Sequence, residues 1–153
     1  MKKVTTGIAA LLLTTYAALA DDMVVAHPGT LKWGEAPSVL PKGAQLAVIT
    51  GDPGKAGPYV IRVKVPAGYQ IPAHWHSTAE NLTVVSGTVN VGMGAKLDKR
   101  TSTMLEVGSF TWLPPKMNHF LWANVPAVFQ IHAEGPFDIV YVNPNDDPSK
   151  LHM

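Results

Sequence analysis

The chain has 153 residues, 46% of them apolar, with twelve basic side chains against eleven acidic ones and no cysteine. That length holds one domain and little more, the apolar content excludes disorder, and near-neutral charge without basic clusters gives nucleic acid or an anionic membrane surface no reason to bind. Without thiolates, cysteine-ligated zinc, iron–sulfur clusters and thiol redox chemistry are excluded, so any metal must be held by histidine and carboxylate.

Residues 1–20 read as a secretory signal peptide. Met1, Lys2 and Lys3 make a short basic start, Val4 to Leu19 is an apolar run, and Ala18-Leu19-Ala20 offers small residues for cleavage before Asp21. The run is short and weakly hydrophobic for a spanning helix, and no later stretch is long enough to span. The mature chain, Asp21 to Met153, is expected to be periplasmic or secreted, with no membrane contact after cleavage. Losing Lys2 and Lys3 leaves ten basic against eleven acidic side chains. Twelve glycines and thirteen prolines are spread along this part, a punctuation that suits short strands joined by turns and opposes long helices.

Residues 21–43, with Pro28, Pro37 and Pro41, read as an irregular N-terminal arm, and residues 44–153 as the folded domain. Gln45 to Thr50 is a short apolar strand. In Tyr59 to Val65, Ile61, Val63 and Val65 alternate with Arg62 and Lys64, which predicts a strand with one buried face. Further strands are expected at Gln70 to His76, Asn81 to Val85, Thr88 to Met93, Thr103 to Val107, Ser109 to Leu113, His119 to Ala123, Val128 to Ala133 and Phe137 to Val142. About ten short strands at this spacing predict an all-β sandwich or barrel.

His74 and His76 stand two apart on one strand, so both imidazoles leave the same face, with Trp75 on the other. Glu80 follows at the same parity. Two imidazoles and a carboxylate form part of a shell for a divalent first-row metal, and His119 is the leading candidate for the fourth ligand.

Gly68-x5-His74-x-His76-x3-Glu80-x6-Gly87 resembles the first sequence motif of the cupin superfamily, and Gly108-x5-Pro114-x4-His119 resembles the second. The resemblance implies a double-stranded β-helix, a jelly-roll barrel of the small single-domain type. It also implies a metal held by His74, His76, Glu80 and His119, with Glu80 able to leave the metal or accept a proton and so to be catalytic. The second motif departs twice from the family pattern, with Lys116 where glycine is usual and Ala123 where asparagine is usual. Both departures bear on loop shape at the barrel mouth, and neither removes a ligand.

The other polar candidates have blander readings. His27, His132 and His152 read as ordinary surface or core histidines; His132 faces outward if Phe129 and Ile131 face the core. Lys116 reads as a solvated loop lysine, with capture of a substrate carboxylate as the alternative. Trp75, Trp112 and Trp122 read as packing between sheets or at a subunit interface, and Met93, Met104 and Met117 as core or rim.

Three neutral imidazoles and one carboxylate leave one or two coordination positions on a divalent ion of Mn, Fe, Ni, Cu or Zn. The leading expectation is an exported metal-dependent enzyme acting on a small oxygenated organic molecule, with dioxygenase-like oxidation preferred to isomerase or decarboxylase chemistry. The alternatives are a non-catalytic metal- or ligand-binding module, and a metal that serves folding alone. A homodimer is also expected to be open to the chain: the arm can cover a neighbour's sheet edge or its own.

Overall fold

The computed structural model describes residues 23–150; the expected signal peptide and His152 lie outside the described residues. Among those described there are eleven strands, a few single-turn 3-10 segments and no α-helix. The strands are β1 (Gly34–Glu35), β2 (Gln45–Thr50), β3 (Gly57–Val65), β4 (Gln70–Trp75), β5 (Glu80–Ser86), β6 (Val89–Met93), β7 (Ser102–Leu105), β8 (Phe110–Leu113), β9 (His119–Trp122), β10 (Ala127–Gly135) and β11 (Val140–Tyr141).

They form two antiparallel sheets, ordered β1-β2-β3-β10-β5-β8 and β11-β4-β9-β6-β7. The chain crosses repeatedly between them, as the expected jelly roll requires. The period-two reading holds along β3, where Tyr59, Ile61, Val63 and Val65 are buried and Val60, Arg62 and Lys64 are half-buried. Leu82 and Val84 of β5 and Phe129 and Ile131 of β10 extend the core within the same sheet, and Leu121 of β9 meets it from the facing sheet. Each such buried side chain contributes about 1.5–3 kcal/mol relative to exposure, which stabilises the barrel without disulfides.

Gly92 of β6 lies directly across from Phe120 of β9. A Cβ on Gly92 would stand 2.2 Å from the Phe120 ring, which is fully buried. The glycine is therefore required by contact rather than by backbone conformation.

The arm packs on its own chain. β1 pairs with β2, Trp33 lies under the Lys64 ammonium at 4.5 Å, and Leu40 is buried in the core. Tyr69 donates its hydroxyl to the Pro41 carbonyl at 2.9 Å, and Tyr141 donates to Val39 at 2.7 Å.

Three expectations change. The last strand is shortened to β11, because Phe137 donates its N–H to Pro53 and Asp138 turns to bind Ser77, which takes residues 137–139 out of the ladder. Trp112 is 57% exposed on the outer face of the edge strand β8, beside exposed Phe110, rather than between sheets, because Leu113 takes the inward position. Met93 and Met104 are exposed, which removes the core reading and leaves the rim.

Candidate metal centre

The site is built across both sheets at one end of the barrel. β4 carries His74 and delivers His76 one residue past its end, while β9 begins at His119, which pairs directly with His74. Glu80 enters from the other sheet as the first residue of β5. The four side chains singled out in the sequence therefore converge. The imidazole centroids are 4.2–5.2 Å apart, and one ring nitrogen from each of the three histidines lies within 4.8 Å of the others.

Each imidazole is oriented by a backbone carbonyl. Nδ1 of His74 faces Pro72 O at 2.7 Å, Nδ1 of His119 faces Met117 O at 2.9 Å, and Nδ1 of His76 faces Asp138 O. A carbonyl can only accept, so each Nδ1 carries the proton and each Nε2 is left for the centre of the site. This outer ring of carbonyls is the arrangement that fixes metal-binding histidines.

Glu80 Oε2 lies 3.0 Å from His76 Nε2 and 3.4 Å from His119 Nε2. Two donors each ~2.1 Å from a shared ion stand ~3.0 Å apart at a right angle and ~3.4 Å apart at a tetrahedral angle. The two Glu80 distances match donors that share one ion, and the chemistry of the donor set suits a divalent first-row metal. In the metal-free chain the same positions suit protons shared between Glu80 and the two imidazoles, so metal binding would displace protons.

The electrostatics follow from burial and this pairing. Burial, reinforced by the neighbouring His119 and His76, drives His74 down to about 3, which keeps its ring neutral. Burial works against ionisation of Glu80, but hydrogen bonds from His119 and His76 outweigh it and hold the carboxyl well below the usual range. His76 is also disfavoured as a cation by burial, yet the Glu80 carboxylate raises it above the ordinary imidazole value.

The four side chains form the polar wall of a cavity of about 30 Å³ inside the barrel. A smaller cavity of about 10 Å³ adjoins His76 and Glu80 and is bordered by Tyr59, Thr78 and Asp138. Tyr59 is pushed well above the usual phenol range, first by burial and then by the charges of Glu80 and Asp138, so it stays protonated. Asp138 holds the loop in place, accepting the N–H of Ser77 at 3.0 Å as well as its hydroxyl proton. Sequence reasoning missed Tyr59, Phe137 and Asp138. Tyr59 shares the parity of Ile61 and was findable from it; nothing in the sequence marks Asp138.

Lys116 is exposed and does not border the cavity. His132 is exposed, as its parity predicts, with Nε2 2.8 Å from the Gln130 side chain, and His27 is exposed as well. Trp122 is half-buried outside the barrel, where it donates to Ser102 Oγ at 3.0 Å beneath Lys99.

Residues 15–140 match the family model described as Domain of unknown function (DUF4437). The chain belongs to this family. No curated protein matches the sequence of this DUF4437 member. Its structure is similar to the polyketide cyclase RemF from Streptomyces resistomycificus, at 16% identity and TM-score 0.69 over 86% of this chain and 94% of that one. It is also similar to a cupin 2 conserved barrel domain protein from Rhodopseudomonas palustris, at 14% identity and TM-score 0.61 over 82% and 89%. An oxalate oxidase aligns at 21% identity and TM-score 0.51 over 71% of this chain and 60% of that one. At these identities the likeness shows the fold, so the DUF4437 chain has the fold of a small cupin barrel, the fold its two motifs imply. The solved cupins include enzymes of several kinds, which act on small molecules.

Proposed function

We propose that this chain is an exported metal-dependent enzyme that acts on a small oxygenated organic molecule, by dioxygenase-like oxidation. The observation that carries the reading is the three imidazoles whose Nδ1 atoms are each committed to a carbonyl, with Nε2 of His76 and His119 turned toward Glu80 and all three rings bordering the cavity. When bound there, a divalent Mn, Fe, Ni, Cu or Zn would supply Lewis acidity and, for a redox-active ion, electron transfer.

The chain's own residues do the rest. His74, His76 and His119 hold a fixed donor geometry, because their rings are locked by Pro72, Asp138 and Met117. Glu80 is the fourth ligand through Oε2 and, on leaving the metal, the carboxylate that can accept a substrate proton. The apolar barrel around them excludes water. Export rests on residues 1–20, and a periplasmic or secreted location is part of the proposal.

A cavity alongside the four donors leaves space for a further, exchangeable ligand on the ion, which favours catalysis over a purely structural role. The test is metal analysis of the natively exported protein, followed by oxygen uptake with Fe- or Cu-loaded protein across a diol, diketone and phenol panel. Oxygen consumption with one substrate class is expected. Full metal occupancy with no uptake, and no exchangeable water on the ion, would instead mark a non-catalytic binding module.

A further inference from the structure

We infer that the ligand of this site has a single polar, oxygen-bearing end and an uncharged hydrocarbon body, which lies in the barrel with the polar end toward His74, His76, His119 and Glu80. The inference rests on the metal reading above and narrows it to a substrate class. Sixteen side chains border the cavity. Four are the candidate ligands, and the other twelve are leucine, isoleucine, valine or phenylalanine. No lysine, arginine, serine, threonine, asparagine, glutamine or tyrosine reaches it.

The main chain of the three central strands that line it supplies no substitute. Ile61 and Val63 come from β3, Leu82 from β5, and Phe129 and Ile131 from β10. Each of these strands is paired on both sides, β3 with β2 and β10, β10 with β3 and β5, and β5 with β10 and β8. Their N–H and C=O groups are spent in the ladders. Among the described residues, no buried side-chain nitrogen or oxygen lacks a partner either.

A second carboxylate, a phosphate, an ammonium or a row of sugar hydroxyls would therefore lose its water without gaining a partner. A hydrocarbon body loses nothing and gains contact with the walls. The cavity is also small: about 30 Å³ admits about two methylene-sized groups before the walls must move. Within this cavity discrimination comes from shape and from the absence of partners, with polar recognition confined to the ligand end, beyond which Tyr59, Thr78 and Asp138 border the adjoining cavity.

Alkyl hydroxamates test this, because the metal-binding group stays constant while the tail varies. The purified protein is loaded with Co(II), cobalt per chain is measured, and dissociation constants are read from the visible cobalt spectrum. From acetohydroxamate to butyrohydroxamate, affinity is expected to rise about fourfold per added methylene. Succinate monohydroxamate, of similar length with a charged end, is expected to bind about a hundredfold more weakly than butyrohydroxamate. One cobalt per chain with a flat series, a preference for the charged tail, or no hydroxamate binding overturns the inference and leaves the metal reading standing. Failure to take up cobalt overturns both.

Discussion

Lys116 donates its backbone N–H to the carbonyl of His76 at 2.8 Å, so the turn that introduces His119 is bonded to the strand end that presents the second histidine. Two ligands from different strands are thereby held by one hydrogen bond. The turn itself runs from Pro114 to Met117, closed by Met117 N–H to Pro114 O at 3.3 Å, with Lys116 at φ 60°. A positive φ at the third residue is what a type II turn demands and what glycine tolerates best. Lys116 occupies the place where the cupin pattern has glycine, and the turn keeps its form despite the side chain.

Lys116→Gly should therefore stabilise the protein. Relief of the left-handed strain is worth about 1–2 kcal/mol, of which part is offset by the greater freedom of glycine in the unfolded chain. A net gain of about 0.5–1 kcal/mol is expected in urea denaturation, with metal content unchanged. A lower denaturation midpoint would show that the exposed lysine side chain contributes more than the strain it imposes.

His76→Ala should abolish metal binding and leave a folded barrel. His76 lies beyond the end of β4 and contributes nothing to the ladder, while the hydrophobic core is built by other residues. It does leave Glu80 buried with His119 as its remaining imidazole partner, so a loss of about 2–3 kcal/mol in stability is expected. Elemental analysis and circular dichroism read the two effects separately. An unfolded variant would mean that the pair, rather than the core, holds this end of the barrel together.

Much of this centre was legible in the sequence for a physical reason. Strand parity is rigid, so His74 and His76 had to share a face, and the core alternation of β3 and β10 placed His132 outside. What was not legible depends on contacts between distant segments. Asp138 is 62 residues from the histidine it supports, and Leu40 comes from an arm whose prolines signal only irregularity. Trp112 misled because apolar size suggests burial, while its position on an edge strand, with Leu113 facing inward, left it exposed.

Glu80→Gln separates ligand from spectator. The amide keeps the shape of the carboxylate but removes the charge that His76 and His119 surround. Loss of outer hydrogen-bond partners alone costs metal sites roughly 10–100-fold in affinity, so loss of a direct charged ligand should cost at least that. Competition with a chelator of known affinity measures it. Unaltered affinity would remove Glu80 from the ligand set and leave the three imidazoles.

Gly92→Ala should destabilise the barrel by about 1–3 kcal/mol, because the new methyl meets a ring with no room to retreat. Phe120→Leu in the same chain should return part of that loss by vacating the space over Gly92. Thermal unfolding of the two single variants and the double gives a coupling energy. Strict additivity would show that the contact is relieved elsewhere.

Tyr141→Phe tests how the arm is held. The hydroxyl donates to Val39 O at 2.7 Å, and the neighbouring Tyr69 donates to Pro41 O, so the two phenols flank Leu40 where it enters the core. Removing one buried hydrogen bond of this kind costs about 1 kcal/mol and strands a carbonyl. Because β1 adds only a two-residue pairing, that loss should fall mainly on local opening of the arm rather than on global unfolding. Limited proteolysis between residues 31 and 43 should therefore accelerate about fivefold, the ratio that 1 kcal/mol implies when opening is fast relative to cleavage. The urea midpoint of the barrel should move little. Faster cleavage accompanied by an equal fall in global stability would show instead that arm and barrel unfold as one unit, and that Leu40 is as much a part of the core as Leu82.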